Sequence, residues 1–253
     1  MPDDAGDGER TRFEVDQAGV GTLTLAHPRK LNAFDRKMIQ EIRGLVWQVA
    51  FDDAVGALVI TGEGRGFCAG RDVEEPRGDR ALLRAHHEML DDLEQLEKPV
   101  IAAVNGVCAG GGVELAAWCD LRVASDTATF LLPEISLGVI PAPGACSRLI
   151  QMIGIGRVKE MVLTGATYDA VQVQQWGLVN VVTREAELLA RAHRLAVDCT
   201  RGSPAAVGLA KAVINTCQDV DAATGRRIER LAQSGLVTTG DGADGLPAPT
   251  TPA

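Results

Sequence analysis

Hydrophobic residues recur along the chain in two patterns, one typical of helices and one typical of buried strands. Apolar residues stand three or four positions apart at 35–51 and again at about 80–96, which predicts two amphipathic helices. Short apolar runs predict strands, and these runs lie at 13–15, 20–25, 57–61, 100–104, 121–124, 129–131 and 179–182. Strands alternate with helices over about 180 residues, so the sequence predicts the α/β class.

The second half of the chain carries mostly helical patterns. Helices are predicted at 145–153, 158–163, 169–176, 185–199, 205–217 and about 220–234. We therefore expect a disordered N-terminus at 1–11, a core at 12–184, a C-terminal helical region at 185–240 and a loose tail at 241–253.

The composition indicates a globular protein with a mostly aliphatic core. Of the 253 residues 46% are hydrophobic and 4% aromatic, which fits one large domain or a domain with an appendage. The net charge is −9, so we expect no general affinity for nucleic acid or for anionic membranes. The sequence contains no run of about 18 apolar residues, so a membrane-spanning helix is not expected. The acidic N-terminus does not resemble a secretory signal. A cytoplasmic location is expected.

The cysteines and histidines do not form a metal motif in the sequence. No two of the six cysteines stand in a CxxC pair, so a zinc site is not expected. His86 lies on the apolar face of the helix predicted at about 80–96. We interpret it as a histidine whose hydrogen bonds are satisfied, or one at the edge of the core, rather than as a ligand.

The candidate chemistry is centred on residues 104–120. Three consecutive glycines, Gly110, Gly111 and Gly112, precede a helix-like run that holds a single carboxylate, Glu114. Glycines suit unusual backbone angles or a close approach of the backbone. A helix that starts here directs unpaired N–H groups at whatever lies above them. Two interpretations of Glu114 remain open, a helix cap or a catalytic acid or base.

A second carboxylate, Glu134, lies between a strand-like run and a loop rich in proline and glycine. Burial among its apolar neighbours would favour the acid form, which suits a proton donor near neutral pH. The alternative is a loop carboxylate that accepts hydrogen bonds from backbone N–H groups.

Two other sets of residues do not match a known catalytic pattern. The GEGRG run at 62–66 follows a strand but fits neither GxGxxG nor GxxxxGK[ST]. The chain has four histidines and no serine in a GxSxG elbow, so no nucleophilic triad is expected.

Three motifs occur in a fixed order, FCAGRD at 67–72, NGVCAGGGVELA at 105–116 and PEISLGVIP at 133–141. Together they resemble the enoyl-CoA hydratase/isomerase (crotonase) superfamily, and the resemblance covers residues 13–246. It implies a spiral of repeated ββα units with a C-terminal helical region that packs subunits into trimers or dimers of trimers. It also implies an acyl-CoA ligand, with coenzyme A as part of the substrate and no further cofactor or metal.

The resemblance assigns roles to individual residues. It implies an oxyanion hole formed by the backbone N–H groups of Ala69 and Gly111. Glu114 and Glu134 would act on one water, with ionised Glu114 deprotonating the water and Glu134 supplying a proton to the α-carbon. Substrate-binding positions are expected at Ala69, Gly70, Arg71, Asp72, Arg29 and Lys30.

Some positions depart from the pattern of the family. Pro143 removes a backbone N–H in a loop that is usually richer in glycine, and Arg71 stands where a small or aliphatic residue is common. The sequence does not show the basic C-terminal residues typical of the family, so we expect either a weaker affinity for coenzyme A or contacts from Arg29 and Lys30 in their place.

The presence of both glutamates favours hydration of a 2-enoyl-CoA to a 3-hydroxyacyl-CoA, or the reverse reaction. The alternatives are another reaction on an acyl-CoA, such as double-bond isomerisation or a specialised dehydration, and an acyl-CoA-binding protein without turnover.

Overall fold

The computed structural model describes residues 8–76 and 78–239, which contain ten strands and eight α-helices. The strands are β1 (Thr11–Val15), β2 (Val20–Leu25), β3 (Ala57–Gly62), β4 (Gly66–Cys68), β5 (Val100–Val104), β6 (Val107–Ala109), β7 (Leu121–Ser125), β8 (Thr129–Leu131), β9 (Tyr168–Asp169) and β10 (Val181–Thr183). The helices are α1 (Arg36–Phe51), α2 (Arg80–Gln95), α3 (Gly111–Trp118), α4 (Arg148–Thr164), α5 (Ala170–Gln175), α6 (Leu188–Cys199), α7 (Pro204–Cys217) and α8 (Ala222–Thr239).

The strands form two sheets, and from β3 to β8 consecutive strands alternate between them. The larger sheet has the order β1-β2-β3-β5-β7-β10, and the smaller has the order β4-β6-β8-β9. All neighbours pair in parallel except β1 with β2 and β8 with β9. In the units β3-β4-α2 and β5-β6-α3, the first strand joins the larger sheet and the second joins the smaller. This arrangement confirms the predicted α/β spiral of ββα units.

The best-predicted elements are those whose pattern of apolar residues matches their burial in the fold. Helix α1 buries the side of Met38, Ile42 and Val49, and its first turn is capped by the Asp35 carboxylate, which accepts from the Met38 N–H. Strand β5 is buried along its whole length because both of its faces are covered.

Three strands of two or three residues are not predicted from the sequence, while the equally short β8 and β10 are. Strand β4 starts at the last glycine of the GEGRG run, and the other two are β6 and β9. Such short strands show no periodicity of their own. The two helices predicted at 145–153 and 158–163 correspond to the two parts of α4, which are separated by a kink where Gly154 has non-helical backbone angles.

Helix α6 packs against the outer face of the larger sheet, although the sequence analysis assigned it to the C-terminal region. Its buried residues Leu188, Ala192 and Ala196 contact a cluster of strand residues, among them Val59 and Ile101. The predicted N-terminal disorder falls mostly, and the predicted tail wholly, outside the described residues. Strand β1 begins at Thr11, at the edge of that N-terminal segment.

The C-terminal end of α3 is held by a buried arginine. Arg122 is 6% exposed and donates hydrogen bonds to the carbonyl oxygens of Cys119 at 2.7 Å, Ala116 at 3.3 Å and Leu178 at 2.6 Å. A cation at the C-terminal end of a helix interacts favourably with its dipole. No carboxylate in the described part of the chain forms an ion pair with this guanidinium. Arg122 therefore fixes α3 at the end opposite to its glycines.

Replacing Arg122 should destabilise the fold because three buried carbonyl groups lose their donors. We expect Arg122→Met to lower the free energy of unfolding by about 2–5 kcal/mol. Arg84→Met is a matched control, since the side chain of Arg84 is 81% exposed and an exposed pair contributes about 0.2–1 kcal/mol. Urea unfolding of both variants measures the difference. Equal stability of the two variants would show that Arg122 does not hold α3.

Candidate active site

The turn that leads into α3 brings Glu134 next to the start of this helix. Gly110 has a φ of +51°, and its carbonyl oxygen accepts from the Val113 and Glu114 N–H groups. A Cβ atom at Gly110 would lie only 2.5 Å from Glu134 Oε1. A Cβ atom there would displace the Glu134 carboxyl group and would be strained by the positive φ, so the glycine allows Glu134 to keep this position.

A second close approach brings the first motif to the same helix. Gly70 has a φ of +84°, and a Cβ atom there would lie 2.7 Å from the Gly111 nitrogen. A Cβ atom at Gly111 would in turn lie 3.6 Å from the Arg71 nitrogen. The Arg71 and Gly111 amides are therefore neighbours, and neither has a backbone acceptor among residues 8–76 and 78–239.

The expected role of Ala69 disagrees with its hydrogen bond in this structure. The Ala69 N–H donates to the Leu31 carbonyl at 2.9 Å, so it is not free to bind a ligand oxygen. The Gly70 carbonyl accepts from the Phe34 N–H, and the Asp72 N–H donates to the Phe34 carbonyl. Because Arg71 lies between these two residues in a parallel bridge, its own N–H points away from Phe34. The pair of free amides thus consists of Arg71 and Gly111, and Ala69 is replaced by Arg71. The left-handed backbone of Gly70 separates the two positions, and the sequence does not show it.

The two predicted carboxyl groups lie in the same site, and each has a buried oxygen atom without a partner. Glu114 is 2% exposed and lies in the first turn of α3. Glu134 begins the 3₁₀ turn Glu134–Leu137. Neither Glu114 Oε1 nor Glu134 Oε2 has a hydrogen-bond partner in the part of the chain that the structure describes. Unpaired buried carboxyl oxygens are costly, so a ligand or a water is expected to bind them.

Burial raises the pKa values of both carboxyl groups, and the charge of Glu134 raises the pKa of Glu114 further. Burial, followed by the charge of Glu134, raises the pKa of Glu114 to about 8, although the nearby Ala145 N–H acts in the opposite direction. Burial also raises the pKa of Glu134. The pair therefore retains a proton near neutral pH, and this proton is favoured on Glu114, the more deeply buried of the two. The sequence analysis had expected Glu114 to be ionised.

The predicted substrate-binding residues around the first motif are only partly available. Lys30 Nζ donates to Asp72 and to Glu74, each at 2.6 Å, so its charge is largely used within the protein. The Arg71 guanidinium donates to the Pro76 carbonyl. The Arg29 side chain is exposed and has no ion pair among the described residues.

Two polar side chains near the site were not recognised from the sequence. His86 is 5% exposed and its Nε2 has no hydrogen-bond partner within the described residues, so it is not the satisfied histidine that we expected. Trp118 Nε1 is also buried without a partner, and it lies 2.4 Å from the position of a Cβ atom at Gly144. His86 lies against Gly111 from a helix face that looks purely apolar in the sequence, whereas Trp118 packs on Gly144 and Arg148.

Two further features bear on the kind of site. Within the described residues, no group of three or more histidine, cysteine, aspartate or glutamate side chains is arranged to hold a metal ion. None of the helices in this part of the chain has the length and apolar character needed to cross a membrane.

Comparisons with known proteins find similar sequences and structures in one family. The family model for enoyl-CoA hydratase/isomerase matches residues 15–248. The Clostridium acetobutylicum short-chain-enoyl-CoA hydratase is 34% identical over 235 residues, which are 90% of this chain and 90% of that protein. A Dictyostelium discoideum protein named "Probable enoyl-CoA hydratase, mitochondrial" is 38% identical over 232 residues, 90% of this chain and 84% of that protein. The crystal structure of enoyl-CoA hydratase from Bacillus anthracis superposes with a TM-score of 0.87 at 32% identity, over 90% of this chain and 91% of that chain.

The raised pKa of Glu114 makes a prediction about stability. A group whose folded pKa exceeds its unfolded pKa contributes stability at low pH, and this contribution is lost as the pH rises toward the folded value. Relative to the wild type, Glu114→Gln should therefore gain free energy of unfolding between pH 5 and pH 8, on the order of 3 kcal/mol.

Urea unfolding at several pH values measures this gain, with Glu187→Gln as the control. The hydrogen bond from Arg184 lowers the pKa of Glu187, so its variant should show no such change in this range. A Glu114→Gln curve that runs parallel to the wild-type curve would show that the Glu114 pKa is ordinary.

Proposed function

The chain belongs to the enoyl-CoA hydratase/isomerase family and is a lyase of the enoyl-CoA hydratase type; on this premise we propose that Glu114 and Glu134 add water across the double bond of a 2-enoyl-CoA, or remove it in the reverse reaction. One observation carries the assignment. Two backbone amides without acceptors adjoin a site that holds two carboxyl groups with unpaired oxygens.

The amides of Arg71 and Gly111 would bind the thioester oxygen. Water that adds to the β-carbon pushes electrons through the double bond to this oxygen, which gains negative charge in an enolate-like transition state. Two fixed N–H donors stabilise that charge without having to reorganise. A single such donor typically contributes about 3–4 kcal/mol to a transition state.

The two carboxyl groups would handle the protons as a pair. The ionised carboxylate accepts a proton from the water as the water oxygen bonds to the β-carbon. The protonated carboxyl group gives its proton to the α-carbon as the enolate collapses. The pair holds one proton before and after the reaction, so one water is added with no net change in the enzyme. Its raised pKa values support this assignment.

The number of carboxyl groups that a reaction needs also distinguishes hydration from double-bond isomerisation. Isomerisation moves a proton from one carbon to another, for which a single carboxyl group suffices. Hydration has to activate a water and protonate a carbon, and the second unpaired carboxyl group favours that reaction. In this scheme the amides and carboxyl groups supply all the charge stabilisation and proton transfer, so we propose no cofactor beyond the coenzyme A of the substrate and no metal.

The coenzyme A part of the substrate would extend past the first motif. We propose that the backbone around Ala69, Gly70 and Asp72 lines the thioester end, with Arg29 available for a phosphate group. Lys30, which is already bonded to Asp72, would contribute less.

Exposed apolar side chains on the C-terminal helices suggest how the protein assembles. Ile214 on α7 and Leu231 and Val237 on α8 are each at least 65% exposed. Such side chains are typical of surfaces that are covered in an oligomer. We propose a homotrimer or a dimer of trimers, located in the cytoplasm.

Glu114→Gln and Glu134→Gln should each lower the turnover of crotonyl-CoA by roughly 10²–10⁴-fold, because each removes a proton-transfer group. The loss of enoyl-thioester absorbance measures turnover, and calorimetry with butyryl-CoA checks that binding persists. Wild-type turnover should also decline above pH 8, as the proton held with a pKa of about 8 is lost. Variants that turn over like the wild type would remove the glutamates from the mechanism. A wild-type protein that binds butyryl-CoA but does not consume crotonyl-CoA would favour the alternative of binding without turnover.

Gly70→Ala should lower kcat/KM for crotonyl-CoA by at least about 10²-fold, because its Cβ would cover the Gly111 N–H. Gly78→Ala is a matched control. Gly78 has a φ of +85°, close to the +84° of Gly70, but a Cβ atom there meets nothing within 4 Å. Both variants therefore carry a similar penalty from the positive φ, but only Gly70→Ala also places its Cβ against the backbone of Gly111. If the two lose activity equally, the effect comes from strain and not from blocking the amide.

A further inference from the structure

His86 lies against the backbone of the proposed oxyanion hole. Its ring on α2 packs on Phe34, with 5.1 Å between ring centroids and an interplanar angle of 51°. Its Cε1 atom lies 3.1 Å from the position that a Cβ atom would take at Gly111. The imidazole therefore lies beside the first residue of α3, whose N–H is one of the two proposed donors.

The Nε2 atom of His86 is one of six buried side-chain atoms that have no hydrogen-bond partner in the described part of the chain. Fully buried Asn32 uses its whole amide, which accepts from the His27 N–H and donates to the carbonyls of Glu63 and Gly66. His86 Nε2 is buried with no hydrogen-bond partner in the described part of the chain, as are Glu114 Oε1 and Glu134 Oε2. A side chain 95% buried with an unpaired nitrogen is costly unless a ligand completes it.

The charge state of His86 limits what that ligand can be. Burial, and then the neighbouring charges of His87 and Arg71, lower the pKa of His86 to about 4. At neutral pH the ring is therefore uncharged and offers one donor and one acceptor. A hydroxyl group can both donate and accept, so it can pair with either ring tautomer. An anionic group on the acyl chain would be repelled by the carboxylate of the Glu114–Glu134 pair.

We propose that His86 is a specificity-determining residue that hydrogen-bonds a hydroxyl group on the acyl chain, so that the preferred substrates are hydroxyl-bearing 2-enoyl-CoA thioesters. This inference rests on the proposed function, because it places the thioester at the Gly111 amide. A site that contains an unpaired buried nitrogen discriminates against the analogue without the hydroxyl, since that analogue leaves the nitrogen unsatisfied.

The test compares substrates that differ by one hydroxyl group. The kcat/KM values for 4-hydroxy-2-butenoyl-CoA and 5-hydroxy-2-pentenoyl-CoA are divided by those for crotonyl-CoA and 2-pentenoyl-CoA. We expect the wild type to prefer at least one hydroxylated chain by about 10–100-fold, the effect of one buried hydrogen bond. His86→Phe, which keeps a ring against Phe34, should abolish that preference. His86→Gln, which keeps a donor and an acceptor, should retain part of it.

His193→Phe is the matched control for loss of a histidine. His193 hydrogen-bonds Thr22 at 2.9 Å and Asp16 at 3.1 Å, so its variant loses bonds within the protein. We expect His193→Phe to lower the melting temperature and to leave the substrate ratio unchanged. His86→Phe should not lower the melting temperature, because the unpaired nitrogen has no bond within the protein to lose.

Binding of saturated thioesters separates this inference from the proposed reaction. Calorimetry with 4-hydroxybutyryl-CoA and butyryl-CoA reports the hydroxyl preference even if no enoyl-CoA is hydrated. Hydration of crotonyl-CoA with the same substrate ratio in the wild type and His86→Phe would overturn the role of His86 and leave the proposed function intact. A preference in binding that His86→Phe removes, without any turnover, would support the role of His86 and refute the hydration.

Discussion

The start of α3 lies so close to the chain that follows β4 that no side chain fits between the two backbones. A Cβ atom at Gly112 would lie 2.0 Å from the Cys68 carbonyl oxygen, and one at Gly70 would lie 2.7 Å from the Gly111 nitrogen. This contact between glycines sets two amides side by side and carries Glu114, one turn into the helix, to its buried position. A third glycine, Gly110, admits Glu134 at the same place. The candidate site is therefore defined by backbone proximity first and by side chains second.

Such a site is costly to keep in a folded protein. Buried groups without partners on Glu114, Glu134 and His86 each lower the stability of the folded state. The raised pKa of Glu114 has the same origin, because burial makes its charged form unfavourable. The structure offsets this cost elsewhere. Two sheets share a continuous aliphatic core, and the Arg122 guanidinium satisfies carbonyl groups at the far end of α3. Stability and reactivity are thus placed at opposite ends of one short helix.

The sequence predicted those features that a single segment of the chain carries by itself. The spacing of apolar residues predicted α1, and a single carboxylate in an apolar run singled out Glu114. The sequence did not predict the features that depend on contacts between distant segments. Whether the Ala69 or the Arg71 amide is free depends on a hydrogen bond to Leu31 and on the left-handed backbone at Gly70. The unpaired state of His86 likewise depends on the start of α3, which is not part of its own helix.

Because α3 has only eight residues and both of its ends are fixed, the length of this segment cannot vary. One residue inserted between Gly112 and Glu114 would turn Glu114 by about 100° around the helix axis and away from the site, and one inserted after Glu114 would displace the end that Arg122 holds. The exposed stretch from Gly138 to Ile140 has no such constraint, because a Cβ atom at Gly138 meets nothing within 4 Å. Insertions and deletions in descendants of this protein should therefore accumulate in that loop, while the distance in sequence from Gly110 to Arg122 stays constant.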